Sequence, residues 1–387
     1  MGWFHRHALL LPVIVMASYY IGRGLGDTLQ LFYLLCGLYA LKYMDLRPYR
    51  LPVILLVLLL SLFLISVFYP DFSARSLKYW MLYGLSGMVM VFTLGASVLA
   101  ISEVDRRVLI GVSIALLLGV AIDLGYFFFV FNDFHPATQV NGMILATLAP
   151  LIFFYAGEKP GSTVTVYSLF YIFSLAVLLV SDSRTELLML LIGAAFYLTF
   201  FKKKLFVLFV IIPVILLVAI IADGYFFSSQ LLTIDGSMYQ WLDQLSSKRL
   251  SIWAEAIAHP PENYLTGTGM KRSIEFLNLG HAKHLHNMFI EIWYETGLLS
   301  LLVYIALLVS LLAGLRRAYQ QLEGFERRIY AIFLATGSAA LISGILDKSY
   351  LHPLTRYYML FCFSVLYLHH HRCSSTRGRN DGQTSIN

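Results

Sequence analysis

The sequence predicts an all-α polytopic membrane protein of about twelve transmembrane helices, with one long, partly helical exterior loop between the ninth and tenth. Three observations predict it. Apolar residues make up 59% of the 387-residue chain and charged residues only 13%, with a mean hydropathy of +0.73, a composition that would leave large apolar patches facing water in a soluble fold. Apolar runs long enough to cross a hydrocarbon core succeed one another almost without a break. Lys and Arg fall mainly on alternate connections between those runs, the bias that marks cytoplasmic loops.

The first run, 8–22, follows His5, Arg6 and His7. No small-residue cleavage site comes after it and further spans do, so it reads as a membrane helix rather than a removable leader. Runs at 28–44, 51–69, 79–101, 108–131, 139–156, 163–181, 185–201 and 205–222 follow, then 288–315, 328–346 and 354–371. The first two, and the pair meeting near Ser183, are short, and a re-entrant segment there would change the count. One set of connections carries clusters such as Arg106 with Arg107, Lys202 to Lys204, and Arg316 with Arg317; the termini belong with it through Arg6 and Arg372. The opposite short connections hold only Arg23, Arg75, Lys78, Arg184, Lys348 and Arg356. Both termini are therefore expected in the cytoplasm and the loop 223–287 outside it. Residues 1–371 form a single transmembrane domain that includes this loop, and the polar tail 372–387 reads as disordered.

The formal net charge of +6 resides in those short clusters rather than on one face, which argues against nucleic-acid binding. Cys36, Cys362 and Cys373 have neither zinc nor redox spacing. No internal repeat is visible, so the repeat architecture of many secondary transporters has no support here.

Most candidate chemistry lies in the exterior loop. Met238, Trp241, Leu242 and Leu245, then Leu250, Trp253 and Ile257, recur at three- and four-residue steps and predict amphipathic helices along the membrane surface. His259, Pro260 and Pro261 end the second. Gly267-Thr268-Gly269 reads as a short flexible turn, followed by a polar stretch with Lys271, Arg272, His281, Lys283, His284 and His286. Asn287 stands where it can cap the next helix. Helical spacing puts Asn287, Glu291 and Glu295 on one stripe where that helix enters the membrane, and the plain reading is that the carboxylates brace the loop through its Lys and Arg residues.

Taken alone, the other polar residues admit more than one role. Arg184, opening a membrane helix, suits an interfacial anchor as well as an anion ligand, and Arg249 on a surface helix suits contact with anionic headgroups. His281, His284 and His286 allow a zinc site, but their spacing fits no single helical face and no Cys accompanies them. Asp123 in the fifth span is either a proton relay or a partnered structural group. Asp347 and Lys348 are expected simply to pair at a loop.

Certain pieces, in order, carry a resemblance. Ser183-Arg184-Thr185 opening a membrane helix, RLSIW from Arg249, the GTG turn, and HNMFIEIWYETG from His286 to Gly297 resemble the O-antigen ligase and polymerase superfamily of bacterial envelope glycosyltransferases, over about Ser181 to Leu315. The resemblance implies a multi-pass inner-membrane enzyme with its active site on the periplasmic side. It takes a glycan from undecaprenyl pyrophosphate and uses neither nucleotide sugar nor metal nor other cofactor. His286 is implied as the catalytic residue, and Arg184 and Arg249 as holding the donor pyrophosphate. Arg272, Lys271 and Arg356 are candidate helpers, and Asn287, Glu291 and Glu295 support the site.

The chemistry suits these residue types. Attack by a sugar hydroxyl needs a base, and an imidazole with its ordinary pKa of about 6.5 is one. The departing pyrophosphate gathers negative charge that guanidinium groups bind bidentately. Base and leaving group on opposite faces of the sugar give inversion. The favoured member is the ligase, which moves O-antigen polysaccharide onto the lipid A core, because the chain is compact and has one large exterior loop. A polymerase or a protein O-oligosaccharyltransferase would share the donor. A transporter or flippase is the reading from another class, and the concentration of polar residues outside the bilayer counts against it. The expected partners are the lipid-linked glycan donor, the lipid A core acceptor and membrane lipid, with no nucleic acid.

Overall fold

The computed structural model describes residues 47–69, 71–100, 246–277, 282–347, 349–352 and 359–368, with isolated positions elsewhere. The spans expected at 8–22 and 28–44, the five between 108 and 222, and the tail 372–387 lie outside the described residues but for isolated positions. Asp123, Arg184, His281, Lys348 and Arg356 lie outside them as well.

Among the described residues every regular element is helical. After a 3-10 turn at Arg47–Tyr49, helix α1 spans Arg50–Phe68 and α2 spans Ala74–Ala100. The loop contributes α3, Arg249–Ala258, and the single turn α4, Ser273–Phe276. Then come α5, Met288–Thr296, α6, Leu298–Leu312, α7, Leu315–Gln321, and α8, Gly324–Leu346. Helix α1 and the run Leu298–Gln321 are long and apolar enough to cross a membrane.

Helix α1 shows why lipid suits this fold. Pro52 falls in the first turn, where the missing N–H has no intrahelical partner to lose. Leu56, Leu59, Phe63, Ser66 and Val67, at three- and four-residue steps, form its buried face, and α6 is its principal neighbour. The outward residues Leu51, Ile54, Val57 and Ile65 are exposed and equally apolar, as are Leu302, Ile305 and Val309 on α6. A helix apolar all round has no face for water.

The run expected at 288–315 is not one helix. Gly297, at φ +88, separates α5 from α6, and a Cβ there would collide with the Leu265 carbonyl oxygen. Leu298 N instead donates to Tyr264 O at 2.8 Å, so the loop ahead of α5 packs against the break. Glu291 and Glu295 consequently sit on a separate nine-residue helix ahead of the membrane-length run. The expectation of an amphipathic helix around Trp253 holds in α3, with a different inner face. Ala256 is buried with Ile252 and Trp253 packed beside it against Leu277, Leu285 and Tyr294, while Ile257 is exposed.

Three connections meet at one end of the helices. Ser76 Oγ, just after the 69–73 connection, donates to Met270 O at 2.6 Å. Tyr350, in the connection after α8, donates to Glu295 at 3.1 Å and packs its ring on Phe63 of α1 and Tyr83 of α2. These are the connections that the charge bias assigned to one side.

Candidate active site

The GTG segment is a helix cap rather than the flexible turn its glycines suggest. An α-helix leaves its last four carbonyls without intrahelical partners, and all four at the end of α5 are met. Trp293 O accepts from Gly297 N at 3.0 Å, Tyr294 O from Thr268 N at 2.9 Å, and Glu295 O from Gly269 N at 2.8 Å. Thr296 O accepts from Ser300 Oγ at 2.7 Å. Gly267 is required by contact, since a Cβ there would lie 2.5 Å from the Glu295 carbonyl carbon. At the other end of α5, Asn287 Oδ1 accepts from Phe289 N at 3.0 Å and Ile290 N at 3.1 Å, the cap its position predicts.

The stripe formed by Asn287, Glu291 and Glu295 is buried. Glu295 accepts from Lys271 N and Ser273 Oγ, each at 2.7 Å, and from Tyr350 Oη at 3.1 Å. Glu291 lies one turn earlier with Lys271 Nζ at 3.6 Å. Burial first, and then the charge of Glu295, push the Glu291 carboxyl above the usual range. The bracing expected of these carboxylates is thus present, through Lys271.

Directly ahead of α5, the polar side chains converge on a residue given no such role by the sequence. Asp347 caps the C-terminal end of α8, its N–H bonded to Ser343 O at 2.8 Å. The pairing with Lys348 expected at this loop lies outside the described residues. Asp347 Oδ1 lies 2.9 Å from Arg249 Nη2, at the start of α3, and 3.1 Å from His286 Nδ1. An ionised carboxylate only accepts, so toward it Nδ1 of His286 is the donor, the tautomer in which Nε2 is the basic nitrogen of a neutral ring. Arg249 meets this carboxylate through Nη2 of its guanidinium.

His286 itself has φ +52, the left-handed region that residues with a Cβ seldom adopt. Its backbone N–H donates to His284 Nδ1 at 3.1 Å, and the two imidazoles stack with centroids 4.0 Å apart. Between them Leu285 is fully buried, its carbonyl accepting from Trp253 Nε1 at 2.9 Å.

The structure thus brings His286 and Arg249 together through Asp347, while Arg272 makes its contacts elsewhere. Arg272 Nε lies 2.7 Å from Glu275 Oε2, its guanidinium stands over the Phe276 ring, and Nη1 reaches Asp71 O at 3.4 Å. Among the described residues no three His, Cys, Asp or Glu side chains converge as metal ligands would. One signal could have drawn attention to Asp347. A carboxylate at a helix C-terminus opposes the helix dipole and calls for cationic partners.

Residues 169–305 match a family model described as O-antigen ligase. The chain carries an O-antigen ligase family region. That region includes the SRT run, Arg249, the GTG cap, His286 and all of α5, and ends within α6. Asp347, which joins the ligase region's histidine to its arginine, lies beyond it. No curated protein matches the chain.

Proposed function

We propose that this protein is an O-antigen ligase, transferring O-antigen polysaccharide from undecaprenyl pyrophosphate to the lipid A core at the periplasmic face of the inner membrane. One observation carries the reading: within a chain bearing an O-antigen ligase region, a single carboxylate oxygen lies within hydrogen-bond distance of both an imidazole and a guanidinium.

In this mechanism Nε2 of His286 takes the proton of the acceptor hydroxyl as its oxygen bonds to the anomeric carbon. The bond from that carbon to the pyrophosphate oxygen breaks, and its electron pair leaves with undecaprenyl pyrophosphate. Arg249 binds the charge gathering there, with Arg184 and Arg272 as further donor ligands. Asp347 keeps His286 in the Nδ1–H tautomer and offsets the imidazolium that forms. Base and leaving group on opposite faces invert the anomeric carbon. The polar cluster lies where the connections meet, at the ends of the helices, which favours transfer at the membrane surface over transport through the midplane.

The test is transfer by the purified full chain, in lipid, of undecaprenyl pyrophosphate-linked O-antigen to lipid A core, with chelator present and His286→Ala in parallel. Transfer that His286→Ala abolishes while still inserting into membranes is the expected outcome. Elongation of the donor-linked glycan in place of transfer would make the protein a polymerase, and neither activity from folded wild-type protein would defeat the reading.

A further inference from the structure

The polar stretch ahead of α5 contains a second histidine to which the proposed chemistry assigns no part. We infer that His284 is a positioning residue for His286: its Nδ1 acceptor holds the His286 backbone in the left-handed conformation that aims the base at Asp347. This inference rests on the ligase reading for its catalytic consequence, but not for its structural content.

The geometry argues for it in three steps. His284 and His286 lie ring against ring, while Leu285 between them is turned into the loop's apolar cluster. Leu285 is fully buried in the loop's apolar cluster, and Trp253 Nε1 fixes its carbonyl at 2.9 Å. Immediately after His286, Asn287 is extended at φ −155 and committed to capping α5. The chain is therefore held on both sides of His286, which must take φ +52 to connect them. A residue with a Cβ occupies that region at a cost and remains there when its surroundings over-determine it.

His284 supplies such a constraint directly. The His286 N–H donates to Nδ1 at 3.1 Å, a two-residue link that closes a tight local ring around Leu285. The imidazoles stack at 4.0 Å with their planes 37° apart, so the same side chain that receives the N–H also packs against the base. Accepting at Nδ1 requires a neutral ring protonated at Nε2. Burial, with His286 and Lys271 beside it, holds the His284 pKa down to about 2, which is consistent with a ring that stays an acceptor.

Two substitutions separate acceptor from packing. His284→Phe keeps an aromatic ring to stack and removes the acceptor; His284→Asn keeps an acceptor near the position of Nδ1 and removes the ring. Hydrogen–deuterium exchange at the His286 amide, read at single-residue resolution in the full-length protein, should accelerate about fivefold in His284→Phe, the worth of one ordinary hydrogen bond. In His284→Asn it should stay close to wild type. In the transfer assay kcat should fall at least about tenfold for His284→Phe with the donor KM little changed, as expected when a base is misaimed. His284→Asn should recover most of the lost turnover.

Equal amide exchange in the three proteins would overturn the inference, as would a His284→Phe enzyme with wild-type kcat or a His284→Asn enzyme as slow as His284→Phe. If the wild type transfers nothing, the ligase reading fails while amide exchange still decides the role of His284.

Discussion

Replacing Asp347 by Asn tests the proposed mechanism at its narrowest point. The amide is nearly isosteric and retains an acceptor oxygen, so the substitution chiefly removes charge. His286 Nδ1 lies 3.1 Å from Asp347 Oδ1. For an imidazolium forming at that separation, the Coulomb attraction is about 5 kcal/mol at an effective dielectric of 20 and about 1 kcal/mol in bulk water. The His286 side chain is 26% exposed and that of Asp347 9%, an environment between those limits. A loss of about 3 kcal/mol of transition-state stabilisation corresponds to a fall in kcat of about two orders of magnitude. The assay is transfer from undecaprenyl pyrophosphate-linked O-antigen to lipid A core under saturating donor, with the protein's insertion checked separately. A fall of the same size in kcat/KM for the acceptor is expected, because the charge acts only as the proton is taken. An Asp347→Asn enzyme with kcat within threefold of wild type would refute the role of Asp347 and, with it, the argument that assigns the proton of His286 to Nδ1.

Arg249→Lys should lower kcat/KM for the lipid-linked donor by at least about tenfold, since an ammonium cannot serve a carboxylate and a phosphate with a planar fork; steady-state kinetics with varied donor check it. Gly297→Ala forces a Cβ against Leu265 O at a residue with φ +88 and should cost about 3 kcal/mol or more. Gly84→Ala in α2, where a Cβ meets nothing within 4 Å, should be neutral or mildly stabilising, so thermal unfolding in detergent should separate the pair clearly. Acidification should destabilise the wild type relative to His284→Phe. His284 is held near a pKa of about 2 when folded but regains its ordinary value when unfolded, so below about pH 6.5 the unfolded chain takes up the extra proton and stability falls by about 1.4 kcal/mol per pH unit. The measurement is the difference between the two unfolding curves at pH 7 and pH 5, because Glu291, displaced upward, contributes with the opposite sign. His286, Lys271, Asp347 and His352 all face His284 and are common to both proteins. Curves that stay parallel across that range would contradict the neutral ring.

The sequence revealed those features whose causes are local or compositional. Apolar runs locate α1 and the end of α8 because lipid as solvent dictates composition over whole helices. Asn287 was recognisable as a cap because its acceptor serves amides two and three residues on. The stripe of Asn287, Glu291 and Glu295 followed from helical spacing. What escaped notice depends on contacts distant along the chain. Gly297 sits inside an uninterrupted apolar run, and its break is required by the backbone of Leu265, which hydropathy cannot register. The GTG segment has the composition of a flexible turn, yet the amides of Thr268 and Gly269 are committed to α5 carbonyls some 26 residues away. Ile257 matches the period of Leu250 and Trp253, but the loop's own core selects Ile252 and Ala256 instead. Arg249 and His286 were singled out by resemblance, and their convergence on Asp347 spans 98 and 61 residues of chain.

That convergence bears on how the site is held. The O-antigen ligase region ends at residue 305, so it contains the imidazole and the guanidinium but neither the carboxylate between them nor Tyr350, a donor to Glu295. Both missing groups come from the end of α8 and the connection after it. Glu295 is tied at once to Lys271, Ser273 and Tyr350, so a shift of α8 relative to α5 would disturb the buried acid pair and the Asp347 contacts together. Arg249 and His286, moreover, sit on separate parts of the loop, each at the start of its own anchored segment. In the proposed mechanism their common carboxylate does more than tune a base: it sets the spacing between the group that takes a proton and the group that receives the leaving charge. In-line transfer depends on that spacing, and the end of α8 holds it together with the loop.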